Sequence, residues 1–263
     1  MTNDIELNEA LLSHLQHFCL FIGYPYSGHS LVGSIIDAHP NAAISHELHV
    51  GKLLRKGYPK ERIFSMILLN SIKFAREGRT WNNYSYFIPG EWNGRFTTLK
   101  VVGDKKGGGS SKFFTNKPEV FDAIETSLGL PIKYIHVMRN PYDMISTLFR
   151  KTQNPNTDNI SIAIDKFVKR IERTAELRKL IQPDDWHDVY HEKLLSLPGE
   201  TIFSLFRFLD LDVPEGFVEN CRKVIYPSPH KSRLDVSWSE SNIEYVSQKL
   251  AQFEHLSAYT FHS

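Results

Sequence analysis

Four consecutive residues, Ser27-Gly28-His29-Ser30, stand between an apolar run, Phe18 to Ile22, and a stretch in which Leu31, Ile35, Ile36 and Ala38 keep helical spacing. That order predicts a buried strand, a tight turn and a helix N-terminus. The first N–H groups of a helix have no intrahelical partner and the helix dipole is positive there, so such a turn can hold a phosphate or a sulfate. Gly28 lets the backbone approach the anion, and the hydroxyls of Ser27 and Ser30 can donate to it. His39-Pro40 ends the helix, because proline biases the residue before it away from helical geometry.

Further groups with chemistry stand where later strands end. The β-rich run Thr98 to Gly103 leads into Asp104-Lys105-Lys106, and lysines at a strand end of an open α/β sheet point toward the crevice in which such folds bind ligands. The three glycines that follow, Gly107 to Gly109, read as a flexible turn. Ile132 to Met138 is another buried strand, followed by Arg139 and a helix with Asn140 as its cap and Pro141 in its first turn. Spacing puts Ser146 and Arg150 on one face of that helix, with Arg139 at the strand exit. Guanidinium groups bind phosphate bidentately and a serine adds a hydroxyl, so Arg139, Ser146 and Arg150 form a candidate monoester phosphate site. Asn41 to His49 predicts a strand that delivers Glu47 beside the first turn, with His46 and His49 as rival proton acceptors.

The remaining elements must position these groups. Lys60 to Gly78 reads as an amphipathic packing helix, Asn159 to Ile181 as a long helix with a basic outer face, Trp186 to Tyr190 as a fifth strand, and Thr201 to Asp210 as a packed helix. Tyr226 to Arg233 is a loop by its prolines, and a last helix is expected from about Glu240 to His255. Between Trp81 and Phe96 lies an aromatic-rich insertion with a Pro89-Gly90 turn signal, predicted as a hairpin or a wide loop. Its rings Trp81, Tyr84, Tyr86 and Trp92 are candidates for lining a small-molecule pocket. Strands alternating with helices predict an α/β domain over residues 1–263: three αβα layers around a central, mostly parallel sheet, with the insertion at about 80–97.

Composition narrows the function classes. With 31 Lys and Arg against 30 Asp and Glu, the net charge is +1, which supplies no basic face for nucleic acid and no polybasic membrane patch. Cys19 and Cys221 lie far apart without metal-ligand or redox spacing, so no metal and a reducing compartment are expected. Met1 to Gln16 suits an amphipathic surface helix rather than a signal peptide, and no run is long enough to span a membrane; a cytoplasmic location is the expectation.

Taken together, Pro25-Tyr-Ser-Gly-His-Ser-Leu31, the helix ending Asp37-Ala-His-Pro40, Glu47, Val102-Gly-Asp-Lys105, Arg139-Asn-Pro-Tyr-Asp-Met-Ile-Ser146 and Tyr190-His-Glu-Lys-Leu-Leu195 resemble the sulfotransferases that use 3′-phosphoadenosine 5′-phosphosulfate, above all their protein-tyrosine and bacterial-type branch. The resemblance implies a P-loop-NTPase-like fold and in-line transfer of a sulfuryl group to a hydroxyl or amine of a small molecule, lipid, sugar or peptide. It also implies a 5′-phosphosulfate site at Tyr26, Ser27, Gly28, His29 and Ser30. The 3′-phosphate would fall to Arg139 and Ser146, with help from Arg150 and from the loop residues Lys231, Ser232 and Arg233. Glu47 takes the place of the general base, and Lys105 that of a lysine steadying the transferring group.

The chain departs from that family in two places. Tyr26 stands where relatives carry Lys or Arg, so His29, with Lys105 or Lys106, is the expected source of the compensating donors. His191 stands where relatives place an aromatic residue near the adenine. Gly23 to Ser30 also fits the pattern Gly-x-x-x-x-Gly-Lys-Ser/Thr with His29 in place of lysine, which makes a P-loop kinase or NTPase the rival enzyme. A nucleotide-binding protein without turnover, on the same fold, is the rival outside enzymology.

Overall fold

The computed structural model describes residues 9–152 and 160–263. The described residues include seven strands: β1 (His17–Gly23), β2 (Ala42–His46), β3 (Thr80–Trp81), β4 (Tyr84–Ser85), β5 (Val101–Lys105), β6 (Ile132–Met138) and β7 (Trp186–Tyr190). Five of them form one parallel sheet in the order β2-β5-β1-β6-β7, while β3 and β4 pair as a separate antiparallel hairpin. Parallel neighbours need long crossovers, and here helices supply them. Phe18, Leu20 and Ile22 enter one core cluster and Cys19 and Phe21 another, so alternate residues of β1 pack against opposite layers. The expected fold class is therefore the observed one.

From β1 the chain moves outward to β2, returns through β5, and then passes to the other side of β1 for β6 and β7. The strand order thus reverses beside β1, and an open α/β sheet binds its ligands at the carboxyl ends of the strands at such a point. Register brings the chemistry to that edge: His46 lies opposite Lys105, Val137 opposite Gly23, and Tyr190 opposite Met138.

Several boundaries differ from the sequence expectations. The Gly107 to Gly109 run is not a flexible linker, because Gly107 makes the turn and Gly108 and Gly109 already belong to the helix Gly108–Asn116. Packing overrides composition there: Phe114 is buried, and the Ser111 hydroxyl bonds both the N–H and the carbonyl of Gly23. The last long helix, Glu240–Leu250, stops before His255. The single turn Glu9–Leu12 is what is described of the helix expected over Met1 to Gln16, of which residues 1–8 lie outside the described residues. The long helix runs Ser161–Lys179, and Asn159 lies outside the described residues. Both cysteines are buried and unpaired, and among the described residues no helix is long and apolar enough to cross a membrane.

The aromatic hairpin is fastened to the sheet by a buried ion pair. Asp37, at the end of the helix His29–Asp37, accepts bonds from the Ile44 N–H, the Ser71 hydroxyl and the Arg79 guanidinium, and neither Asp37 nor Arg79 is more than 1% exposed. Breaking such a pair from one side leaves an uncompensated charge, so Arg79→Ala should cost about 3–5 kcal/mol. Urea unfolding tests this, and the double variant Asp37→Ala/Arg79→Ala should lose less than the two single losses added.

Candidate active site

The turn after β1 is built on two left-handed residues, Tyr26 at φ 68° and Gly28 at φ 103°. A side chain at position 28 is excluded twice, by that backbone and by His191, whose Cδ2 would lie 2.5 Å from a Cβ. The Gly28 carbonyl accepts from the Leu31 and Val32 N–H groups, whereas the N–H groups of Tyr26 to Ser30 have no protein partner among the described residues. Free donors at a helix N-terminus are able to cradle an anion.

The side chains of the turn divide differently from the sequence expectation. The Ser27 hydroxyl is buried and donates to the Tyr24 carbonyl, with His29 Nδ1 3.1 Å away, so Ser27 offers an anion its backbone alone. His29 turns inward as well: Nε2 meets the Ile22 carbonyl at 3.2 Å, and burial, reinforced by the field of Lys105, pulls its pKa down to about 3. With both ring nitrogens engaged inward, His29 does not offer the turn the compensating donor expected of it, which leaves Lys105 and Lys106. The Tyr26 ring packs against the core cluster of the helix Pro141–Thr152 and carries the Lys151 ammonium 5.4 Å above it. The Ser30 hydroxyl faces Lys105, accepting from its Nζ at 3.3 Å.

Lys105 is the meeting point. Its side chain is 3% exposed, and Nζ lies 2.7 Å from Glu47 Oε1 and 3.4 Å from His46 Nε2, while Lys106 holds Glu47 Oε2. Burial opposes ionisation of Glu47, but the fields and hydrogen bonds of Lys105 and Lys106 outweigh it and hold the carboxyl below its ordinary range. Glu47 owes its place to Asp104, whose buried carboxylate accepts from the Ser45 hydroxyl and from the N–H groups of Leu48 and Val50. Sequence reasoning gave Asp104 no role; its position at a strand end, before two lysines, was the available signal.

The two histidines separate. His46 stacks on Phe74 with centroids 4.0 Å apart and meets Trp81 edge-on, and burial followed by Lys105 lowers its pKa to about 3. His49 precedes the helix Val50–Arg55 and packs on Phe113, with burial as the main cause of a pKa of about 4. Of the predicted pocket rings, Trp81 reaches the site, its centroid 5.9 Å from Lys105 Nζ. Tyr84 meets Tyr226 edge-on at 5.7 Å, both largely exposed. Tyr86 instead packs against the core, where burial pushes its pKa up to about 12, and Trp92 stacks under the Arg95 guanidinium.

Each residue of the predicted cluster Arg139, Ser146 and Arg150 is engaged by a different residue of the loop 230–238. Arg139 donates to the His230 carbonyl, its Nε being buried without a partner; Ser146 is fully buried and accepts from Trp238 Nε1 at 3.1 Å; and Arg150 pairs with Asp235 at 2.9 Å. Arg150 is thus spent at the exposed far end of the helix. Within the loop, Lys231 is exposed, Ser232 shares its hydroxyl with His230 Nδ1, and Arg233 is buried against Asp143 at 2.7 Å and the Ser263 carbonyl. Arg233 therefore ties the loop down.

Residues 108–215 match the sulfotransferase family, a span that includes Arg139, Ser146 and His191 but not the first turn or Glu47. No curated protein matches the chain. Among solved structures, the sulfotransferase domain of the Synechococcus PCC 7002 olefin synthase is 16% identical with a TM-score of 0.57, and the match covers 91% of this chain and 95% of that one. The sulfotransferase domain from the curacin biosynthetic pathway is 14% identical with a TM-score of 0.54, covering 91% and 98%. Sulfotransferase STF9 from Mycobacterium avium is 11% identical with a TM-score of 0.53, covering 91% and 76%. At these identities the likeness is one of fold. The chain therefore has the fold of solved sulfotransferases, with the family match confined to residues 108–215.

Proposed function

We propose that the chain transfers a sulfuryl group from 3′-phosphoadenosine 5′-phosphosulfate to a hydroxyl or amine of an acceptor, with Glu47 as general base. The observation that carries this reading is Lys105, whose ammonium touches the Ser30 hydroxyl on the donor side and the Glu47 carboxylate on the acceptor side. The residues present fit such a donor: free N–H groups of Tyr26 to Ser30 suit the 5′-phosphate, and Arg139, with an unpartnered buried Nε, suits the 3′-phosphate. Bound there, the nucleotide supplies the sulfuryl group and leaves as the 3′,5′-bisphosphate.

Lys105 offsets the charge on the leaving phosphate, a task that Tyr26 cannot perform. Glu47, ionised at neutral pH, takes the acceptor proton, and the ion pairs with Lys105 and Lys106 hold it in place for that step. Trp81, against His46 and Lys105, forms the wall beside which the acceptor lies. The inward turn of His29 weighs against the kinase reading, since the side chain at that position does not point to where phosphates would sit.

Calorimetric titration with adenosine 3′,5′-bisphosphate should show binding that weakens by about tenfold or more in Arg139→Ala, as the loss of a charge-assisted contact implies. With the sulfate donor and an active acceptor, Glu47→Gln should lower kcat by about 100-fold or more. Absence of binding, or full turnover by Glu47→Gln, would overturn the assignment.

The acid limb of kcat against pH tests the base separately. Transfer needs the Glu47 carboxylate, so the rate falls as pH drops through its pKa, which the two lysines keep low. Lys106→Met removes one of those cations and should move the limb to higher pH. A limb that stays where it is would identify another group as the base.

A further inference from the structure

The loop between β2 and the helix Val50–Arg55 is bent against the preference of its residues. Glu47 lies at φ 63° and His49 at φ 69°, both in the left-handed region, where a Cβ costs free energy and glycine is the usual occupant. His49, at the N-cap of the helix, makes no side-chain cap. Non-glycine residues stay in such a pose only where their surroundings over-determine it.

Here the last two residues of β5 grip the loop from opposite faces of the sheet. Side chains alternate along a strand, so Lys105 packs on Gly33 of the helix His29–Asp37 while Asp104 reaches toward Val50 in the other core cluster. On the first face Lys105 holds the Glu47 side chain at 2.7 Å. On the second, Asp104 holds the loop backbone: Oδ1 accepts from the Leu48 N–H at 3.2 Å and Oδ2 from the Val50 N–H at 2.9 Å, so the two bonded amides bracket His49. The Ser45 hydroxyl, opposite Asp104 in the β2–β5 register, donates a third bond at 2.9 Å. Asp104 is fully buried, and three donors divided between its two oxygens call for a side chain that accepts at both, which a carboxylate does and an amide does not.

We propose that Asp104 is a positioning residue for the sulfuryl transfer: by holding the Leu48 and Val50 N–H groups it keeps Glu47 in the left-handed pose that turns its carboxylate onto Lys105 and Lys106. The inference rests on the reading of Glu47 as the base. Asp104→Asn keeps the size of the side chain but sets N–H against N–H on one side, which lets the loop relax toward ordinary backbone geometry and carries Glu47 away from the two ammonium groups.

Carboxyl carbon NMR, with the Glu47 resonance identified by its absence in Glu47→Gln, tests this in wild type and Asp104→Asn. The wild-type carboxyl titrates below the ordinary glutamate range because of Lys105 and Lys106. Release of the loop should raise it toward that range in Asp104→Asn, whereas the loss of a neighbouring anion would by itself lower it or leave it in place. His46 and His49 also face Glu47 and are the same in both proteins, so the difference between the two titrations reports the loop. Calorimetric binding of adenosine 3′,5′-bisphosphate by Asp104→Asn shows that the variant is folded. In wild type the Leu48 and Val50 amides should be protected from hydrogen exchange, a readout that needs no variant to fold. A Glu47 titration that falls or stays put in an Asp104→Asn protein that binds the bisphosphate, or exchange of the two amides without protection, overturns the inference and leaves the site reading standing. A wild type that binds no bisphosphate, or full turnover by Glu47→Gln, overturns both.

Discussion

A buried ammonium organises this site. Lys105 ends the strand next to the central one and is almost wholly removed from water, a state that costs several kcal/mol unless the charge is met by partners of opposite sign and by acceptors. Glu47 and His46 at the end of β2 and Ser30 in the turn after β1 meet it, two segments converging on the same sheet edge. The pairing of β2 with β5 puts His46 opposite Lys105 and makes Glu47 the next residue, while the turn after β1 supplies Ser30. A slip of one residue in the β2–β5 register would turn Lys105 to the other face of the sheet and leave Glu47 without its partner.

Positive charge in this molecule is placed at strand ends rather than on the anion turn itself. Tyr26 brings no cation to the turn, and His29 is spent as a neutral bridge between the Ile22 carbonyl and Ser27. The turn contributes backbone dipoles, and the formal charges come from Lys105 at the end of β5 and Arg139 just beyond β6. Those two residues end the strands on either side of β1, where the strand order reverses, so both charges stand at the crevice that topology predicts.

What could be read from the sequence follows from which signals are local. The five parallel strands and the helix His29–Asp37 were legible because their apolar runs and spacing are short-range, and Glu47 and Lys105 because strand ends converge in any parallel sheet. The helix Gly108–Asn116 was hidden behind its glycines, since what stabilises it is tertiary: Phe114 in the core and Ser111 on Gly23. Likewise, the spacing that puts Ser146 and Arg150 on one face cannot say that Trp238 and Asp235 would claim them from ninety-odd and eighty-odd residues away. His29 was misread for a related reason. Whether a histidine beside an anion turn points out or in depends on the Ile22 carbonyl and on the space above Gly107, and both are properties of the packed fold.

The helix His29–Asp37 links the two halves of the site mechanically. At its N-terminus it presents the free N–H groups of the turn; eight residues later, about 12 Å along its axis, Asp37 grips Arg79 and with it the hairpin that carries Trp81. Helix and hairpin are joined by a fully buried ion pair, which tolerates little displacement because any opening exposes an unpaired charge to a low-dielectric interior. Trp81 in turn packs on His46 and over Lys105. The turn, the buried lysine and Trp81 are therefore linked by a chain of contacts that fixes their separations, which is what the proposed in-line transfer, dependent on fixed distances between donor and acceptor, requires.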